Sequence, residues 1–177
     1  MSVEELQRMM PAPREPVFVP CERDWKDAEA ALGTRLPSDY KAFLGAYGSG
    51  RVSQFLEIFN PASPHEYNNL VACWKKQVPI FEYIQSHGTQ VSLNLHPAKP
   101  GLLPIGQTDN GDMIFFVTGG PPDDWRVAVL ISRAQDVEIF DLRLTEFLTS
   151  GLRHEIDALP DDLERVFDAA DAGSGSA

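Results

Sequence analysis

Residues 25–50, WKDAEAALGTRLPSDYKAFLGAYGSG, constrain the fold more than any other part of the chain. Trp25, Ala28 and Leu32 fall at i, i+3 and i+7, so a helix would carry them on one face. Gly33 follows where a left-handed closing residue is wanted. Leu36-Pro37 then opens a second helix: proline pre-sets φ in the first turn, and Asp39 suits its positive end. Tyr40, Phe43, Leu44 and Tyr47 repeat at i, i+3, i+4 and i+7, and Gly48 ends the stripe. The spacing predicts a helical hairpin whose apolar faces must be covered by other elements. Each large side chain there contributes about 1.5–3 kcal/mol once buried. This is a structural prediction and carries no catalysis.

The rest of the chain has to supply that cover. At 177 residues it fits one domain, long enough to bury roughly two thirds of its unfolded surface. After Gly50, residues 52–59 (VSQFLEIF) have strand composition, stopped by Asn60-Pro61. Ser63-Pro64-His65-Glu66 has capping-box spacing and predicts a helix carrying Tyr67, Leu70, Val71 and Trp74 to about Lys76. Pro79 breaks or restarts that helix, and 80–85 add a turn or two. Residues 86–100 read mostly as loop, with a short strand near 91–95.

Residues 102–117, LLPIGQTDNGDMIFFV, read as two strands around an Asn110-Gly111 turn. GGPPDD leads into a third strand over 125–131, and 137–140 form a fourth. Strands that follow one another without intervening helices predict an antiparallel meander. Leu144, Phe147, Leu148 and Leu152 give a helical stripe, and Pro160-Asp161-Asp162 would open a final helix through Val166 and Phe167. Helices first, a sheet in the middle and helices last indicate an α+β fold. Residues 1–20 read as a proline-rich arm with a short helical turn at Val3, Leu6, Met9 and Met10. Residues 21–168 form the expected domain, and 169–177 a frayed tail.

Those motifs, in that order, resemble a SUKH-type domain, the superfamily named partly after a yeast cell-wall-synthesis regulator. Trp25, Leu32-Gly33, Leu36-Pro37, Asp39-Tyr40-Lys41, Phe43-Leu44, Tyr47-Gly48 and Gly50 match its opening. Leu103-Pro104-Ile105-Gly106, Gly111-Asp112 and Phe115-Phe116 match its second block, and Glu146-Phe147-Leu148 resembles its C-terminal helix motif. The resemblance spans about residues 22–152. It implies one α+β domain with a twisted antiparallel sheet flanked by helices. It also implies binding without catalysis: a bacterial immunity protein that neutralises a toxin or, less often, a regulatory scaffold for an endogenous partner. The chain departs from the pattern in its N-terminal arm and in the acidic extension after Gly151.

Net charge is −11, and residues 132–177 hold eleven acidic against four basic residues, so −7 of it falls there. Direct nucleic-acid binding is disfavoured, because displacing counterions needs lysine and arginine. Attraction to a basic partner, whether a cognate toxin or another basic protein, is compatible with this balance, as is plain solubility. No apolar run approaches the ~20 residues of a membrane span. The first residues lack the apolar region of a secretory signal, and Cys21 and Cys73 are far apart, as expected of reduced thiols in the cytoplasm.

No residue pattern predicts a metal, a cofactor or a catalytic site. Thr108-Asp109-Asn110-Gly111-Asp112 superficially resembles a calcium loop, but apolar, strand-like residues follow it, so a hairpin turn is expected. His65, His87, His96 and His154 are scattered, Gly48-Ser49-Gly50 lacks a P-loop lysine, and neither cysteine has a nucleophile signature. The candidate binding residues are Asp109, Asp112, Asp123 and Asp124, at the turns flanking one strand, with Trp125 beside them. Aspartates are good turn formers in any case. As a site, they would form an acidic rim around an aromatic anchor facing a basic partner.

Overall fold

The 25–50 stretch folds as two helices. The computed structural model describes residues 3–86, 93–133 and 136–171. α1 (Val3–Met9) precedes the hairpin of α2 (Glu22–Leu32) and α3 (Ser38–Tyr47). Asp24 accepts the Cys21 N–H at 2.8 Å at the start of α2, and Gly33 closes it at φ 67°. Gly48 ends α3 at φ 66°; a Cβ there would stand 2.2 Å from the Val17 carbonyl oxygen. Only glycine lets the N-terminal strand of chain pass so close.

β1 (Gly50–Val52), β2 (Leu56–Ile58), β3 (Gly101–Thr108), β4 (Met113–Thr118), β5 (Arg126–Ile131), β6 (Asp136–Phe140) and β7 (Phe167–Ala169) form one antiparallel sheet in the order β6-β5-β4-β3-β2-β1-β7. α4 (Leu70–Ser86) lies between β2 and β3 in the chain, and α5 (Leu144–Leu152) between β6 and β7. The fold is α+β, as expected. One sheet face, with Val52, Leu56, Ile58, Leu103, Ile114, Phe116, Val127 and Val129, buries Tyr40, Phe43, Leu44 and Tyr47 of α3 and Phe147 and Leu148 of α5. On the other face, Phe81 of α4 packs on Leu102, Phe115 and Ala128.

Four local expectations are corrected. Residues 52–59 are not one strand but the ends of a hairpin, β1 and β2, turning at Ser53 (φ 56°) and Gln54 (φ 53°). The 63–66 sequence does not open a helix. Ser63 Oγ accepts the His65 N–H and also pairs with Asn68 Oδ1, holding a loop. α4 starts at Leu70, where Asn69 Oδ1 accepts the Val71 and Ala72 N–H groups at 3.1 and 3.2 Å. It then runs through Pro79, which is exposed, so solvent can reach the carbonyl that proline deprives of a partner. The final helix expected from Pro160 onward is instead a series of turns leading into β7, which pairs Phe167 with Val52 and Asp168 with Arg51.

The N-terminal arm is packed: Leu6 and Met10 are fully buried, and Tyr47 Oη donates to the Met10 carbonyl at 2.6 Å. The expected tail begins inside β7 at Ala169, while 172–177 lie outside the described residues. So do Val91 and Ser92 of the strand expected near 91–95; of its other residues, Leu95 makes an isolated bridge to Leu102.

Candidate partner-binding surface

The five side chains grouped by the sequence do not share one surface. β4 holds them apart by its length of six residues, roughly 20 Å, with Asp109 and Asp112 at one end and Asp123, Asp124 and Trp125 at the other. Asp112 is 7% exposed and turned inward. Its Oδ1 accepts the Ser132 N–H at 2.9 Å and its Oδ2 accepts the Thr108 hydroxyl at 3.1 Å, tying the β3–β4 turn to the end of β5. Asp109 is exposed and paired with the Arg51 guanidinium.

At the other end, Trp125 corrects the expectation of a surface anchor. It is 3% exposed, and its ring lies in the core 6.0 Å from that of Phe116. Trp125, Val127 and Val129 alternate along the chain, which in a strand puts all three on one face. That alternation was the available signal for its burial. Asp123 and Asp124 sit on a 3₁₀ turn (Pro122–Asp124) beside an open depression of about 490 Å³. The cations there are already engaged: Arg126 Nε is 2.8 Å from Asp141 Oδ1, and Arg143 Nη2 is 3.5 Å from Glu146 Oε1.

The Asp39-Tyr40-Lys41 motif of α3 does positioning work. Asp39 Oδ2 accepts the Thr145 N–H at 3.2 Å in the first turn of α5, and burial raises its carboxyl pKa above the usual range despite that bond. Tyr40 Oη donates to the Phe59 carbonyl just after β2. Lys41 Nζ lies 2.6 Å from Glu29 Oε1 and 5.5 Å from the centre of the Trp25 ring, fastening α3 to α2. Three consecutive side chains therefore hold three different neighbours.

A second surface, which the sequence reading missed, lies at the end of the sheet that no described helix covers. Val52, Leu56 and Ile58 face the core, so Arg51 and Glu57 between them face outward. Gln107 and Asp168 join them through the register, Glu57 opposite Gln107 and Arg51 opposite Asp168. Glu57 Oε1 accepts an N–H of the Asn68 side chain at 2.7 Å. Tyr67, 61% exposed, stacks on His65 at the rim, ring centres 5.3 Å apart. The alternation Leu56-Glu57-Ile58 was legible as an outward carboxylate; nothing local marked Asp168.

The groups that chemistry would need are dispersed or engaged. His96 is buried with Nε2 2.7 Å from the Leu32 carbonyl oxygen; His65 and His154 are exposed, and His87 lies outside the described residues. Burial, aided by the Glu57 charge, pushes the Cys73 thiol up to about 11. Among the described residues, no three His, Cys, Asp or Glu side chains gather to hold a metal ion, and no helix is long and apolar enough to cross a membrane.

One seven-stranded antiparallel sheet with helices packed on it, fixed by side-chain clips from α3, defines an α+β domain whose uncommitted polar groups lie on open surfaces. The chain belongs to the SMI1 / KNR4 family (SUKH-1), whose family model matches residues 21–150. Among curated proteins, none matches the chain.

Proposed function

We propose that this protein is a bacterial immunity protein, which neutralises a cognate toxin by stoichiometric binding in the cytoplasm and performs no catalysis of its own. Family membership over residues 21–150 is the observation that carries this reading, since the family combines immunity and regulatory binding modules. The net charge of −11 supports a basic partner, because opposite fields speed encounter and fix orientation. A nuclease is the toxin class that suits such a surface best: carboxylates would occupy the place of substrate phosphates. Covering a toxin's active site would bury on the order of 1,600 Å².

Co-expression with the product of the neighbouring gene tests the reading. A 1:1 complex on size-exclusion chromatography, with growth restored to cells carrying that product, is the expected result. Absence of both would overturn it. A complex without protection would favour the regulatory reading, in which the chain holds an endogenous partner.

A further inference from the structure

We infer that the polar outer face of β7, β1, β2 and β3 is a docking surface for an arginine- or lysine-bearing segment of a partner protein. This rests on the binding reading above and assigns it a place. α4 and Leu95 cover the outer face over β3, β4 and β5, where the side chains are apolar. Past that cover the sheet face carries Arg51, Glu57, Gln107 and Asp168, and lines a concavity of about 600 Å³. A sheet face this polar has no helix to bury, and among the described residues none lies on it.

Its charges identify the occupant. Among the described residues four carboxylates line it, Glu57, Asp109, Asp168 and Asp171, against the guanidinium of Arg51. Arg51 pairs with Asp109, across the concavity from β7. Among the described residues no ion pair joins it to Asp168, its direct cross-strand neighbour: Asp168 Oδ2 and Arg51 Nε are each shielded from solvent and without a hydrogen-bond partner. Asp168 as a whole is only half-buried, so a cationic side chain docked on the open face would offset its charge. Tyr67 stands exposed at the rim with one ring face on His65, an amphipathic surface on which a guanidinium stacks. The Asp123–Asp124 corner is less unbalanced: the carboxylates of Asp123, Asp124, Asp141 and Glu146 meet the two guanidiniums of Arg126 and Arg143 there, and Asp123 is already taken up by the Ser38 N–H.

The test uses the full chain, labelled with ¹⁵N, titrated with a ten-residue peptide of alternating arginine and serine. Amide shifts should move at Arg51, Glu57, Gln107 and Asp168, and the affinity should fall steeply with salt. The triple variant Tyr67→Ala, Asp168→Asn, Asp171→Asn should bind roughly tenfold more weakly, with its denaturation midpoint checked so that unfolding is not read as lost binding. Shifts centred on Asp123 and Asp124, shifts spread evenly over all acidic turns, or equal affinity of a folded triple variant would each overturn the assignment. None of these would touch the neutralisation reading, which stands or falls on co-expression alone.

Discussion

Asp123 caps a helix to which it does not belong: its Oδ1 accepts the Ser38 N–H at 2.6 Å, across 85 positions of sequence. Pro37, at the cap position of α3, has no side-chain group to offer. Asp39 of that helix in turn accepts the Thr145 N–H of α5. The starts of α3 and α5 are thus held from outside their own segments.

Replacing Asp123 with asparagine should lower the denaturation midpoint without changing the denaturant slope. The Ser38 N–H bond holds the Asp123 carboxyl below the usual carboxylate range. A depressed folded value means a contribution present above the unfolded pKa and lost as pH falls through the folded one. Wild type and Asp123→Asn should therefore differ at neutral pH and converge in acid. Midpoints measured at several pH values decide this; a gap that persists in acid counts against the cap.

Tyr40→Phe removes one oxygen from a fully buried ring and leaves the Phe59 carbonyl without that donor. The expected cost is about 1–3 kcal/mol by urea unfolding. A loss within a few tenths would mean that the carbonyl finds another partner.

The Lys41–Glu29 contact has the same pH sign as Asp123. Burial works against ionisation of Glu29, but the Lys41 ammonium and the Leu36 N–H outweigh it and hold the carboxyl below its usual range. Glu29→Gln should be less stable than wild type at pH 7 and lose that deficit as pH falls through the folded Glu29 value. Thermal melts of both proteins across the acid range provide the check.

Cysteine labelling should be selective. Cys21 is exposed, whereas Cys73 is buried with a thiol pushed up to about 11. Iodoacetamide at pH 8 should modify Cys21 in the native protein and reach Cys73 only after unfolding, as read by mass spectrometry.

Gln54 is exposed at φ 53° in the β1–β2 turn, a left-handed position that suits glycine. Gln54→Gly should raise stability by about 1 kcal/mol, measured as a higher urea midpoint with an unchanged slope. A lower midpoint would show that unfolded-state entropy outweighs the relief.

The elements legible in the sequence were those whose side chains repeat over several turns or strand pairs. The Tyr40, Phe43, Leu44, Tyr47 stripe and the 102–131 strands are long enough for period to override local ambiguity. β1, β2 and β7 have three residues each, too few for a period, and the turn residues Ser53 and Gln54 do not announce a hairpin. The surface was less legible for a different reason. Aspartates at turns look alike in sequence whether they bind inward, as Asp112 does, or face solvent, as Asp124 does. Which carboxylate Arg51 takes is equally hidden, since register sets it opposite Asp168 and yet it pairs with Asp109.

The placement of β7 and α1 separates the stretch that defines kinship from the stretch that folds. Both elements lie outside residues 21–150, yet Phe167 rests on the Tyr47 ring and Leu6 sits in the same core. A fragment trimmed to the shared stretch would have a raw sheet edge at β1 and a hole beneath α3 and α5. Ancestry and cooperativity draw different borders on this chain, and an expression plasmid should follow the second.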